Sequence, residues 1–264
     1  MENKLYNENC LETMRRMNDD YLDCVITSPP YNVSIEYDEY NDNKTEEQYF
    51  NEMREIFSLL YSKLKDDGRL AINLPFEIGA IGNQEERIFI AAEFYKMLRD
   101  VGYKWAGFVR LVEKNSQCAR RISQFGSYLS PSSPYIFNSE ECVLILYKNV
   151  WKKNSKGVGY FNEENKREFI DLIRFGWKYQ AETNQLTKAT FSLDLPLSAL
   201  KILTWENDLV YDCFMGSGTT AIACQSMNRK WIGSELSTSY YNKALIRIKN
   251  YIDFKWSAKS FFNI

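Results

Sequence analysis

The stretch LVYDCFMGSGTTAIACQSMNRKWIGSEL, residues 209–236, limits the fold more than any other part of the chain. An apolar strand ends at Asp212. Gly216 and Gly218 then let the backbone turn tightly beside a ligand, and a helix opens at Thr219 and Thr220. Glu235 follows the next short strand, about 23 residues after Asp212, where a carboxylate meets ribose hydroxyls in nucleotide-binding α/β units. This is the outline of a nucleoside site. GSGTTA also satisfies G-x-G-x-x-G/A, so a dinucleotide-dependent oxidoreductase is a rival reading. Against it, only about fifty residues follow the loop, too few for a further half built from repeated βαβ units. An aspartate ahead of the loop also favours a cofactor whose charged end is an amino acid rather than a pyrophosphate.

The rest of the chain repeats this alternation of apolar runs and longer amphipathic stretches, the pattern of an α/β sheet with helices on its faces. Strands are expected over residues 22–27, 69–74, 105–112, 142–148, 209–211 and 230–233. Helices are expected over 45–64, 85–101, 197–204, 219–227 and 240–252, the first capped by Thr45 with Glu46 and Glu47 in its opening turn. Asp66-Asp67-Gly68 reads as the break after that helix. Residues 113–140 and 149–190 read as irregular insertions in one domain spanning 1–264, a size that suits a single unit.

Residues 25–34, VITSPPYNVS, set a stiff corner at the mouth of a strand. Neither Pro29 nor Pro30 has an N–H, and both φ angles are fixed, which leaves carbonyls of the segment without partners in the sheet. At the carboxyl edge of a parallel sheet this is a ligand position. The Ser28 hydroxyl and the Pro29 carbonyl can accept from an amino group, and Tyr31 can stack on the ring that carries it. Such acceptors would relocalise the lone pair of an exocyclic amine, and a sulfonium methyl held in line then needs positioning more than acid–base help. The absence of histidine from all 264 residues fits that economy. It also excludes a Ser-His-Asp triad, a Cys-His pair, the zinc deaminase signature and any imidazole proton shuttle. Taken alone, the bracket reads first as a Pro-Pro turn ending a strand.

With both motifs in place, the sequence resembles the amino-group DNA methyltransferases that use S-adenosyl-L-methionine, in the permuted order where the catalytic segment precedes the cofactor loop. VITSPPYN resembles their catalytic motif and DCFMGSGTT their cofactor loop, while IGSEL resembles their ribose-binding turn. LYNENCLETM resembles the segment beside the cofactor's adenine, FSLDLP the segment cradling its methionine end, and FGSYLSPSSPYIFNSEECVLILYK the target-side strand and loop. The resemblance implies a three-layer Rossmann-like α/β fold, its sheet mostly parallel with helices on both faces and with inserted DNA-recognition loops. It implies Ser28, Pro29, Pro30 and Tyr31 as catalytic residues. It places the cofactor on Asn9, Cys10, Thr27, Phe191, Pro196, Asp212, Phe214, Gly216, Gly218, Thr219, Thr220, Glu235 and Leu236.

The chain departs from the family pattern at three places: Cys213 stands for a proline, Asn9 for an aspartate, and Lys188-Ala189 for a His-Pro. Serine at the head of the catalytic motif is associated with N4 of cytosine and aspartate with N6 of adenine, and serine could serve adenine too. C5 methylation is disfavoured, because no cysteine follows a proline.

Double-stranded DNA is the implied substrate, its target base flipped out of the stack. A cognate restriction endonuclease and a homodimer are the partners the resemblance suggests. With a net charge of −2, phosphate contact must come from local patches, for which Arg110, Lys114, Arg120, Arg121, Lys152, Lys153 and Lys156 are candidates. Tyr128, Tyr135 and Trp177 could stack on bases or belong to the core. A catalytically silent nucleic-acid-binding module is the non-enzymatic alternative. The six cysteines form no CxxC pair and read as buried thiols. No apolar run nears the ~20 residues of a membrane span and MENKLYNENC lacks the marks of a signal peptide, so a cytoplasmic protein is expected.

Overall fold

A computed structural model describes residues 1–33, 39–79, 87–113, 127, 129–134, 136, 140–154, 156–180 and 192–262, with side chains described as far as residue 252. The strands are β1 (Lys4–Asn7), β2 (Leu22–Thr27), β3 (Leu64–Pro75), β4 (Lys104–Glu113), β5 (Glu141–Tyr147), β6 (Trp177–Tyr179), β7 (Leu209–Asp212) and β8 (Lys230–Glu235). The helices are α1 (Cys10–Arg15), α2 (Glu46–Lys63), α3 (Ile90–Val101), α4 (Lys166–Arg174), α5 (Asp194–Leu203), α6 (Thr219–Ser226) and α7 (Thr238–Phe262). One sheet runs in the order β1-β8-β7-β2-β3-β5-β4-β6. Among these strands only β5 opposes its neighbours, pairing antiparallel with β3 and β4.

The central strands are buried on both faces, so they read as continuous apolar runs that divide with period two. On β5, Cys142, Leu144 and Leu146 join one core and Val143 and Ile145 the other. The first core is closed by α1, α2 and α3, the second by α5, α6 and α7, which makes three layers. On α2, Tyr49, Met53, Ile56, Phe57 and Leu60 form one buried stripe. Its Thr45 cap is completed by Gln48 in a reciprocal capping box.

Several expected boundaries moved. Asp66-Asp67-Gly68 does not separate a helix from a strand. β3 starts at Leu64 directly after α2, and these residues form a bulge where the register against β2 shifts. A Cβ on Gly68 would lie 2.8 Å from the Lys65 carbonyl oxygen, so the bulge needs glycine. The second helix starts at Ile90 rather than Glu85, since Ile88 is bridged to Ile78. The 149–190 stretch is not wholly irregular. It contains α4, and β6 extends the sheet with Trp177 buried in the core and its indole N–H donated to the Leu172 carbonyl. Tyr128 and Tyr135 lie outside the described residues. Among the described residues no helix is long and apolar enough to cross a membrane.

Candidate active site

The chain leaves β2 and β3 towards one side of the sheet and β7 and β8 towards the other, so β2 and β7 meet at a switch point where crevices form. Parallel pairing of Cys24 with Val210 and Val25 with Tyr211 brings the proline bracket and the glycine loop together at the carboxyl edge. The Thr27 hydroxyl donates to Asp212 Oδ1 at 2.7 Å and fastens the two strand ends. A cavity of about 370 Å³ opens there, within the range of small-molecule sites.

Ser28, Pro29, Pro30 and Tyr31 all line it. Ser28 Oγ and the Tyr31 hydroxyl are 2.7 Å apart. Asn73 Nδ2 donates to the same tyrosine oxygen at 2.9 Å and to Glu141 Oε2 at 2.7 Å. Asn32 follows the bracket in the left-handed region, with φ 57, a conformation asparagine tolerates. Its side chain is tied to the Lys44 backbone in both directions, so the corner is held from behind. The Pro30 carbonyl accepts from the hydroxyl of Tyr49 on α2, a partner outside the sheet. The Pro29 carbonyl receives no donor among the described residues.

Asn9, Cys10, Phe214, Gly216, Glu235 and Leu236 complete the expected part of the lining. Asn9 caps α1, its side chain accepting from the Leu11 N–H at 2.9 Å. Asparagine and aspartate are equivalent caps, so that departure from the family pattern leaves the turn intact. Glu235 accepts from the Gly216 N–H at 2.7 Å and the Ser237 N–H at 2.8 Å, and burial raises its carboxyl above the usual range.

Thr27, Pro196, Asp212, Gly218, Thr219 and Thr220 do not reach the cavity wall. Asp212 is fully buried, with Oδ1 bonded by Thr27 and the Phe214 N–H and Oδ2 by Thr220. It locks the loop rather than facing a ligand. Gly218, at φ 82, packs against Ile248, where a Cβ would come within 3.0 Å. Pro196 sits in the first turn of α5, where its missing N–H costs nothing, and Ser192 and Leu195 face the cavity instead. Phe191, with Lys188 and Ala189, lies outside the described residues.

Burial pushes the Asp212 carboxyl up to about 6, against the bonds from Thr220, Thr27 and Phe214. A carboxyl raised on folding contributes stability that is present below its unfolded value and lost as pH rises through 6. Relative to Asp212→Asn, the wild type is therefore expected to lose up to roughly 3 kcal/mol between about pH 4 and pH 7. Urea unfolding of both proteins across that window measures it, and parallel pH dependences would contradict the assignment.

The sequence reading missed Asn73 and Glu141. The signals were a lone amide in the apolar run LAINLP and a carboxylate heading ECVLILY. The candidate phosphate ligands divide by sheet edge. Arg110 is exposed near the cavity end of β4, 3.7 Å from Glu140. Lys152, Lys153 and Lys156 follow β5, which delivers them to the amino edge, about 20 Å from the cavity at ~3.3 Å per strand residue. Lys153 is also buried in an ion pair with Asp208 at 2.7 Å. The antiparallel course of β5 thus sets these three candidate phosphate ligands at the opposite edge of the sheet from the cavity. Lys114, Arg120 and Arg121 lie outside the described residues.

The wall chemistry suits S-adenosyl-L-methionine. Glu8, Glu39, Glu52, Glu141 and Glu235 make an acidic cavity for a cationic ligand, and among the described residues only Glu8 and Glu52 are in ion pairs, with Arg16 and Lys44. At Gly216, φ 54, a Cβ would find its nearest atom 3.9 Å away, so the loop leaves room for close approach.

A DNA methylase family model for N6 and N4 methylation matches residues 22–246. The type II methyltransferase M.MjaVI of Methanocaldococcus jannaschii is 32% identical over 178 residues, 64% of this chain and 87% of that protein. M1.MboII of Moraxella bovis is 28% identical over 92% of this chain and 95% of its own. Among solved structures, a protein of Thermus thermophilus assigned as a DNA modification methylase and complexed with S-adenosyl-L-methionine aligns with a TM-score of 0.71. It is 19% identical, covering 94% of this chain and 93% of that one. The cytosine-N4-specific PvuII DNA methyltransferase aligns with a TM-score of 0.65 at 18% identity, covering 95% and 90%. These matches remove the oxidoreductase and the silent binding module. From the acidic cavity at the meeting of β2 and β7 to the family match across most of its length, the chain belongs to the N6/N4 DNA methylases, enzymes that use S-adenosyl-L-methionine to methylate exocyclic amino groups of DNA.

Proposed function

We propose that the enzyme methylates N4 of cytosine in double-stranded DNA, taking the base out of the stack. The observation that carries this reading is the neutral Ser28 hydroxyl, set 2.7 Å from the Tyr31 hydroxyl in the wall of the cofactor cavity. Ser28 Oγ and the unengaged Pro29 carbonyl accept the two N–H bonds of the amine and concentrate its lone pair on nitrogen. Tyr31 covers the face of the ring. Glu235 receives the ribose hydroxyls, while Asn9, Cys10, Phe214, Gly216 and Leu236 line the remaining cofactor surface. Thr27, Asp212, Gly218, Thr219 and Thr220 hold the loop that carries them. When bound, the cofactor supplies a sulfonium methyl group.

Arg110, on the cavity edge, contacts phosphate, and residues 113–140 and 149–190 supply target recognition within a single catalytic unit. A role beside an endonuclease of the same sequence specificity is the corresponding reading, supported by the likeness to type II methyltransferases. Digestion of methylated mixed-sequence DNA to nucleosides, followed by mass spectrometry, tests the target. N4-methylcytosine is the expected product, and N6-methyladenine in its place would move the reading to adenine.

A further inference from the structure

Methylating a neutral amine leaves a surplus proton on nitrogen, and this chain has no histidine to receive it. The bracket offers only the Ser28 and Tyr31 hydroxyls and carbonyls, which cannot keep a proton near neutral pH. One carboxylate in the same wall is suitably placed. Glu141 opens β5 at the carboxyl edge, facing the cavity beside Leu111 and Tyr179. Its one polar partner among the described residues is Asn73, whose Nδ2 also donates to the Tyr31 hydroxyl. Asn73 is 1% exposed, and its Oδ1 has no partner among the described residues. A buried amide with a free oxygen at a cavity wall awaits a donor from the ligand. The Ser28–Tyr31–Asn73–Glu141 chain is therefore continuous, at 2.7, 2.9 and 2.7 Å.

We propose that Glu141 is the proton acceptor of methyl transfer and that Asn73 is a positioning residue that aims it at the amine. The nitrogen lone pair forms the N–C bond as the C–S bond breaks, and the sulfonium becomes a neutral thioether. The nitrogen, briefly cationic, gives one proton to the Glu141 carboxylate, leaving a neutral methylated base and a neutral carboxylic acid that later returns the proton to water. The surroundings suit this exchange. From β4, Arg110 is engaged by Glu140. From β3 and the bracket come the neutral Asn73 and Tyr31, from β6 Tyr179, and across the cavity Glu235, itself an acid. Cys142, the next residue on β5, has its thiol pushed up to about 12 by burial and stays neutral. Burial likewise holds the Glu141 carboxyl above the usual range, with only the Asn73 bond opposing it, which strengthens it as a base.

The proposal rests on the amine reading of the cavity and holds for either base, since both carry an exocyclic amine. It is tested on the full chain by single-turnover transfer across pH, alongside equilibrium binding of tritiated S-adenosyl-L-methionine. Wild-type transfer should rise with pH through one inflection, as the carboxylate forms. Glu141→Gln, assayed at saturating cofactor as fixed by the binding measurement, should lose the inflection and slow by at least about a hundredfold. Glu141→Asp, which keeps a base, should retain the inflection at reduced rate and guards against a variant that misfolds. A Glu141→Gln enzyme with wild-type rate and pH profile would overturn the assignment. So would a Glu141→Asp enzyme that binds cofactor but has no inflection. A wild type that methylates carbon would instead sink the amine reading itself.

Discussion

Ser28→Ala is expected to lower the single-turnover rate of methyl transfer by about a hundredfold or more, the cost of losing one aligned polar contact in a preorganised site. Cofactor affinity should change far less, because Ser28 follows β2 and the proposed ribose ligand Glu235 ends β8, two strands away. Ser28 Oγ is held by the Tyr31 hydroxyl at 2.7 Å, and that hydroxyl is itself fixed by Asn73. Tyr31→Phe should therefore reproduce part of the loss by releasing Ser28 while keeping the ring. Tyr31→Ala should lose more, since the stacking surface goes too. The double variant should fall short of the product of the single effects, as expected of groups acting as one unit. Rates measured by tritium transfer, with labelled-cofactor binding in parallel, decide it. A Ser28→Ala enzyme with unchanged transfer would remove the bracket from the chemistry.

The second large effect is on cofactor affinity. Glu235→Ala removes the acceptor for the Gly216 and Ser237 N–H groups, at 2.7 and 2.8 Å, together with the proposed ribose contacts. Hydrogen bonds to charged groups contribute about 1.5–3 kcal/mol each, so dissociation constants should rise by roughly 10- to 150-fold for one net bond lost. Glu235→Gln, which keeps one carbonyl acceptor, should fall between. Because burial raises this carboxyl, wild-type affinity should weaken as pH falls through its elevated value, when protonation removes an acceptor. Calorimetric titration with S-adenosyl-L-methionine at several pH values measures both. An alanine variant with wild-type affinity would place the ribose elsewhere.

What the sequence disclosed and what it hid have separate physical causes. Strands β2, β5 and β7 were legible because burial on both faces makes them continuous apolar runs, and α2 because a Thr cap precedes a full buried stripe. The cavity's two halves were legible as local backbone chemistry, prolines without N–H groups and glycines at positive φ. Short elements escaped: α1 has six residues and β6 three, too few to establish a period. The division of labour inside the glycine loop was hidden too, since only packing shows that Asp212 spends both oxygens on Thr27, Thr220 and Phe214. Sheet direction also carries no local signal. Lys152 and Lys156 read as candidate phosphate contacts with no indication of which sheet edge they occupy, and the antiparallel β5 carries them to the edge away from the cavity. Asn73 and Glu141, 68 residues apart, share a hydrogen bond only because β3 and β5 pair in that register.

The central claim is that this cavity joins a methyl carbon to an exocyclic amino nitrogen, and bond formation can be observed directly. The enzyme is supplied with S-adenosyl-L-methionine carrying a carbon-13 methyl group and with duplex DNA labelled with nitrogen-15 at its exocyclic amines. The product nucleosides are then examined by nuclear magnetic resonance. A one-bond carbon–nitrogen coupling on the transferred methyl signal is the predicted result. A methyl signal without that coupling, or no labelled methyl on the DNA at all, would contradict the account.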